Sequence, residues 1–414
     1  MDDTIIRRKK CSKATIIRCI FCKTAYIKEK MESRKMILKK YVKTCLSAVT
    51  AAAVMLAQFA AVPAVYADSA GFDNFKGQDQ YSEGQFRDVL SDAWYAESVK
   101  AVYEKGLIKG TSEDTFSPSG SVTLAETVAL ASRLHSIYYT GTADFQQTQP
   151  WYKVYVDYAE KNGIIHSEGV DFTQKAKRTD FAAILAIALP ESAYPAINNI
   201  KTIPDVSETV SVYGEEIFQL YNAGVLTGSD KYGTYGPDKN IERSAAAAII
   251  ARIADPSLRK TFTLQEKPFT PVPLNKLNNY KSLKKKMTDA QFKQAYNEAV
   301  KLVKPYANMS REDQLYGIAY SIRERFENGM SYSMESAHYN DPYGFFIEGS
   351  ASCAGCTRAT GLCLNILGIP YEHVNENKYL HQWCRVKVGS SYYICDAYGL
   401  YCGQEPAAYK HPYF

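Results

Sequence analysis

The sequence predicts a multidomain chain: an all-α helical bundle followed by an α+β domain. Three observations predict it. A helix–loop–helix pattern returns three times in the first half. A polar stretch bearing Pro268, Pro271 and Pro273 then interrupts the chain. A Cys-initiated apolar helix and two short strands lie in the C-terminal part. The 414 residues suit two or three domains. A content of 46% hydrophobic and 22% charged residues excludes a mostly disordered or collagen-like chain.

The net charge of +5 conceals an asymmetry. Residues 1–67 carry 14 Lys and Arg against 4 Asp and Glu, whereas the remainder carries 35 against 40. A mildly acidic remainder gives no electrostatic case for nucleic-acid binding. Residues 31–43 are basic, and Thr44 to Ala67 are uncharged and mostly Ala, Val and Leu. Pro63 breaks that run, and Val65 and Ala67 suit the −3 and −1 positions. Residues 31–67 therefore read as a signal peptide cut after Ala67, with no membrane association afterwards. A retained membrane anchor is the alternative, since the run is long enough to span. Residues 1–30 fit no export logic and read as an upstream extension of the reading frame.

In the first repeat, Phe86-Arg-Asp-Val precedes Trp94-Tyr95, and Val99, Val102 and Tyr103 follow at helical spacing. Gly106 closes this helix. After Phe116-Ser-Pro118, Thr123 and Glu126 have capping-box spacing and open a second helix. The pattern returns through Trp151-Tyr152, Gly163, Phe172 and Arg178-Thr-Asp180. It returns again through Tyr221, Gly224, Tyr235-Gly-Pro237 and Glu242-Arg243. The helix-ending glycines are 57 and 61 residues apart. One such unit cannot bury its own apolar face, so three should pack together. Trp94 and Trp151 are expected in the core.

These residues resemble the surface-layer homology (SLH) repeat, with copies at 86–140, 148–200 and 201–257. The resemblance implies a pseudo-threefold helical bundle that holds cell-wall polysaccharide, an anionic glycan often pyruvylated. It carries glycan contacts onto Thr123, Arg178 and Arg243. The first copy has Leu124 where the family has Arg. A guanidinium suits an anionic sugar because its fork donates two hydrogen bonds to one carboxylate. The competing reading of these Arg is helix capping or solvated ion pairing.

Residues 258–283 read as a linker and 284–414 as the second domain. A helix is expected from Thr288 to Lys304, a second one after Ser310, and a loop over 328–350. Six cysteines (Cys353, Cys356, Cys363, Cys384, Cys395 and Cys402) crowd the C-terminal segment. Cys353 opens a helix that Gly368-Ile-Pro370 terminates, so the helix dipole favours its thiolate. His381–Val388 and Ser391–Asp396 read as strands joined by the two-residue turn Gly389-Ser390. That register places Cys384 opposite Cys395 and sets His381 on the same side as Asp396, whereas a longer turn would separate them. Cys384 and Cys395 then form either a cross-strand bridge or a buried thiol pair. A zinc site through Cys353, Cys356, Cys395 and Cys402 is a further reading, weakened by the want of a second Cys-x-x-Cys pair.

Cys353-Ala-Gly355, Leu367-Gly-Ile-Pro370, His381-Gln-Trp383, Tyr392-Tyr393 and Asp396 together resemble the transglutaminase-like core. This resemblance implies a papain-like/transglutaminase-like α+β domain with Cys353 as nucleophile, His381 as base and Asp396 as the acid orienting it. The expected activity is acyl transfer from a peptide or protein through a thioester, with no cofactor and no metal. Water as acceptor makes a peptidase or amidase, and an amine makes a cross-linker. The whole reads as an extracellular enzyme tethered to the bacterial cell wall or surface layer. The contrasting reading is a non-catalytic surface protein that binds cell-wall glycan. His135, His166, His338, His373 and His411 are expected to take no part in catalysis.

Overall fold

The structure is a computed structural model, and it describes residues 70–399 and 401–406. The expected extension, signal peptide and His411 lie outside the described residues. The chain divides into two compact units. The first comprises residues to Ile200 with Glu215–Thr227 and Gly236–Thr263; the second comprises Lys201–Gly214, Gly228–Tyr235 and the chain from Leu264.

Helices in the N-terminal half come in pairs: α1 (Ala96–Glu104) with α2 (Leu124–Thr140), α3 (Lys153–Lys161) with α4 (Arg178–Ala188), and α5 (Gly214–Asn222) with α6 (Arg243–Ala254). The first helix of each pair ends at a glycine in the left-handed region, with φ of 64° at Gly106, 70° at Gly163 and 71° at Gly224. The second helices α4 and α6 begin after Lys177 and Glu242 without a side-chain cap. Their free N–H groups are satisfied by backbone from another pair. Leu124 and Ala125 donate to the carbonyls of Gln174 and Phe172, at 2.8 and 2.9 Å. Arg178 and Thr179 donate to Lys239 and Pro237, at 2.8 and 3.1 Å. Arg243 and Ser244 donate to Gly120 and Pro118, at 2.8 and 2.9 Å, which closes the circle.

At the centre the same cycle is drawn by three buried residues. Val122 N–H donates to Ile241, Ile241 N–H to Ala176 and Ala176 N–H to Val122, each at 2.9–3.0 Å. Three antiparallel bridges flank them, Ser121 to Glu242, Thr123 to Lys175 and Lys177 to Asn240. The first unit is thus a pseudo-threefold helical bundle.

The expected placement of Trp94 and Trp151 in the core is corrected: they are 67% and 46% exposed. The buried stripes are Val99 with Val102 on α1, and Val156 with Ala159 on α3. Counting back at helical spacing reaches Tyr95 and Tyr152, so each Trp falls one residue off the inward face.

The second unit contains α7 (Tyr280–Lys284), α8 (Asp289–Val303), α9 (Arg311–Glu327) and α10 (Cys353–Ile366). Its antiparallel sheet has the order β3 (Glu372–Val374), β4 (Trp383–Val388), β5 (Ser391–Asp396) and β6 (Tyr401–Gln404). Helix α10 is buried from Ala354 to Ile366 and packs on α8, α9 and β4. Thr288 and Gln291 form a reciprocal capping box that starts α8, and the Ser310 hydroxyl accepts the Asp313 N–H that starts α9.

Two expectations need amending here. The 328–350 loop holds β1 (Ser331–Tyr332), paired in parallel with β2 (Ser350–Ala351), and a π-turn over Gly344–Glu348. The expected linker is anchored at several points: Phe262 N–H donates to Asn198 Oδ1 at 2.9 Å, Val272 N–H donates to Ile366 O at 2.9 Å, and Asn279 N–H donates to Asn365 Oδ1 at 3.0 Å.

Candidate functional site

Cys353 stands at the first position of α10, after Ser352, whose hydroxyl accepts the Gly355 N–H. Gly355 lets that turn form, because a Cβ there would lie 2.5 Å from Tyr339 O. The turn between β4 and β5 is Gly389-Ser390, with Val388 paired to Ser391 and Cys384 to Cys395. The register brings His381, just ahead of β4, onto the end of β5. His381 Nε2 and Asp396 Oδ2 are 2.7 Å apart, and both side chains are almost fully buried. Asp396 Oδ1 accepts the Gly399 N–H at 3.0 Å, so both carboxylate oxygens are held. Asn375 donates to His381 O at 3.0 Å, fixing the backbone of the ring-bearing residue.

His381, the Tyr332 hydroxyl and the Gln382 backbone face the Cys353 sulfur. Burial opposes ionisation of this thiol, but those contacts outweigh it and hold the thiol below its ordinary range. Burial likewise disfavours a charged His381. Asp396 and Cys353 overcome that, and the imidazole is raised to about 9. Both shifts act in the direction of a thiolate–imidazolium pair. Burial pushes Cys356, Cys363 and Cys384 in the opposite direction. The six cysteines are free thiols. Cys384 S–H donates to Thr357 O at 3.3 Å and Cys395 S–H to Leu315 O at 3.5 Å, so this pair takes the thiol alternative.

A cleft of about 580 Å³ opens over Cys353 and His381. Its walls include Tyr332, Met334, Tyr339, Tyr379 and Tyr398. Behind it, Arg358 is fully buried. It donates to Ser282 O, Asn340 O and the Glu376 carboxylate at 3.0–3.2 Å, which ties the 375–382 segment to α10. Sequence reasoning missed Tyr332, Arg358, Gln382 and Tyr398. Gln382 lies inside the quoted His381-Gln-Trp383 motif; the others carry no periodic signal. His373 and His338 have structural partners, Gln382 at 2.7 Å and Asp341 at 2.8 Å.

In the first unit, a groove of about 470 Å³ is lined by Lys109, Glu126, Arg133, Trp151 and Arg243, among others. Arg243 donates to Phe116 O and Lys109 O at 2.9 Å each, and its Nη1 lies 3.4 Å from Glu126. Thr123 is bound to Glu126 in a reciprocal capping box. Arg178, half-buried at the start of α4, and Thr123 do not line this groove.

Residues 85–128 match the S-layer homology domain family. The chain is similar to the surface-layer 125 kDa protein of Lysinibacillus sphaericus, 24% identical over 196 residues, covering 44% of this chain and 15% of that protein. It is also similar to the S-layer protein sap of Bacillus anthracis, 26% identical over 176 residues, covering 40% of this chain and 21% of that protein. An endoglucanase of Bacillus sp. (strain KSM-635) is 26% identical over 175 residues, covering 41% of this chain and 18% of the enzyme. The chain therefore spans about a fifth or less of the length of these relatives. Residues 85–128 are an S-layer homology domain, and the chain is a secreted surface protein attached to the bacterial cell wall. Among the described residues no helix is long and apolar enough to cross a membrane.

Proposed function

We propose that this surface protein is a thiol enzyme that transfers acyl groups through a thioester at Cys353, while its S-layer homology repeats tether it to cell-wall polysaccharide. The observation that carries the enzymatic reading is a helix-starting thiol on the same cleft as His381, whose ring is paired with the buried Asp396 at 2.7 Å. In this reading the Cys353 thiolate attacks the acyl carbon of a peptide or protein. The tetrahedral intermediate collapses, the C–N bond breaks, and the imidazolium of His381 protonates the leaving amine. His381 then takes a proton from water, whose oxygen cleaves the thioester and frees Cys353. An amine in place of water makes the same site a cross-linker. Asp396 orients the imidazole and stabilises its charged form.

For the tether, the proposed partner is an anionic, pyruvylated polysaccharide, contacted by Arg178, Arg243 and Thr123. Trp151 on the groove wall supports an added sugar-stacking surface.

The rival reading is a non-catalytic wall-binding protein. It is favoured by the S-layer proteins among the relatives. An iodoacetamide probe at neutral pH separates the two. Labelling of Cys353 faster than an ordinary thiol, and slowed at least about tenfold in His381→Ala, supports the enzyme. Labelling at the rate of a free thiol in both proteins supports the rival.

A further inference from the structure

The proposed chemistry needs a place for negative charge on the acyl oxygen. The N–H of Cys353 is the first of α10 and has no partner within the helix. It supplies one donor, and the sequence indicates no second. Strand β1 supplies a candidate. Tyr332 is paired with Ala351 in the parallel β1–β2 ladder, and Ser331 N–H donates to Gly349 O at 3.1 Å. This ladder runs directly into the start of α10, so it delivers Tyr332 beside the nucleophile. The ring lies 5.3 Å from that of Tyr398. Tyr398 is held in turn by Arg323, which donates to its carbonyl at 2.7 Å. The Tyr332 hydroxyl faces Cys353 across the cleft that both residues line with His381. It therefore stands beside the two groups that a reacting carbonyl must meet, the sulfur at carbon and the N–H at oxygen.

Resting on the thioester reading above, we infer that Tyr332 is a catalytic residue, whose hydroxyl pairs with the Cys353 N–H to form the oxyanion hole for the tetrahedral intermediate. When the carbonyl enters, its oxygen takes the N–H, and the phenol turns its hydrogen to that oxygen. The ring is half-exposed on the cleft rim and free of core packing on one face, which allows the small withdrawal this requires. Burial, with the adjoining Cys353 charge, raises the phenol to about 12, so it stays a donor throughout the neutral range.

Alkylation and acylation test this separately, because iodoacetamide displacement forms no oxyanion whereas attack on an ester does. The probes are iodoacetamide and p-nitrophenyl acetate, used on the full chain and its Tyr332→Phe variant. Acetylation of Cys353 is followed by p-nitrophenol release and intact mass. In Tyr332→Phe the acetylation rate should fall about 100-fold, as for loss of one oxyanion donor. The pH-independent alkylation rate should stay within about threefold. Unchanged acetylation overturns the inference and leaves the thioester reading standing. Faster acetylation also overturns it, showing the hydroxyl to be a plug. An equal loss in both reactions reassigns Tyr332 to thiolate stabilisation. A wild-type protein that alkylates rapidly but is never acetylated removes the thioester reading and this inference together.

Discussion

Cys353 and Cys356 lie one turn apart on the same helix and have opposite chemistry. Cys356 faces the core, where burial keeps its proton on, whereas Cys353 faces His381, Tyr332 and a cleft. The difference predicts a pH profile. Thiolate accumulates as pH rises through a value below the usual thiol range, and the imidazolium is lost as pH rises through about 9. Acyl turnover, which needs both, should therefore rise as the thiolate forms and fall above about 9. Asp396→Asn removes the carboxylate that favours the charged ring, while burial still disfavours it. The alkaline limb should then move down by at least about one pH unit. Stopped-flow acylation against pH measures both limbs; an unmoved limb would detach Asp396 from the role proposed for it. The nearness of His381 and Asp396 was legible on the two-residue turn at Gly389-Ser390, which the structure contains, since counting back from it reaches both residues. Tyr332 was not. A two-residue strand has no periodicity, and its parallel partner lies beyond a π-turn.

Helix α10 is the element on which the second unit turns, and Gly361 shows how tightly it is enclosed. In an isolated helix, Gly to Ala gains about 1 kcal/mol. Here a Cβ would stand 2.2 Å from the Tyr371 ring, at the entry to β3. Overpacking of that kind costs about 1–3 kcal/mol, so the clash should prevail. Gly361→Ala should lower the urea midpoint despite its better propensity, and a raised midpoint would contradict the packing seen here. The start of α10 could be read from Cys353 and the apolar run behind it, closed by Gly368-Ile-Pro370. The starts of α4 and α6 could be placed only through the repeat, because Lys177 and Glu242 do not cap. Their N–H groups are taken by carbonyls about 60 residues away in sequence for α4 and about 125 away for α6, an arrangement no local pattern encodes. β3 and β6 were missed for a related reason. They are short and hold their place by pairing with β4 and β5.

For the whole molecule, the two units predict separable losses. Arg178→Ala combined with Arg243→Ala should reduce co-sedimentation with purified cell-wall polysaccharide at least about tenfold, as expected for losing two charge-assisted contacts. Iodoacetamide labelling of Cys353 should be unaffected. Because Arg243 also holds the carbonyls of Phe116 and Lys109, a melting curve must accompany the binding assay. Unchanged sedimentation with an unchanged melt would reject those two contacts. The bundle itself was legible from its recurring glycines and second-helix openings. The exposure of Trp94 and Trp151 was not, since a one-residue offset from the buried stripe decides it. The ring of hydrogen bonds through Val122, Ala176 and Ile241 also constrains the order of events in the cell. If the chain leaves the cytoplasm as a thread, amino end first, its opening repeat cannot complete its own backbone pairing until the last repeat has arrived outside. On that route the bundle closes only after its entire passage, and a premature stop inside the third repeat would leave the Val122 N–H without the Ile241 carbonyl it pairs with.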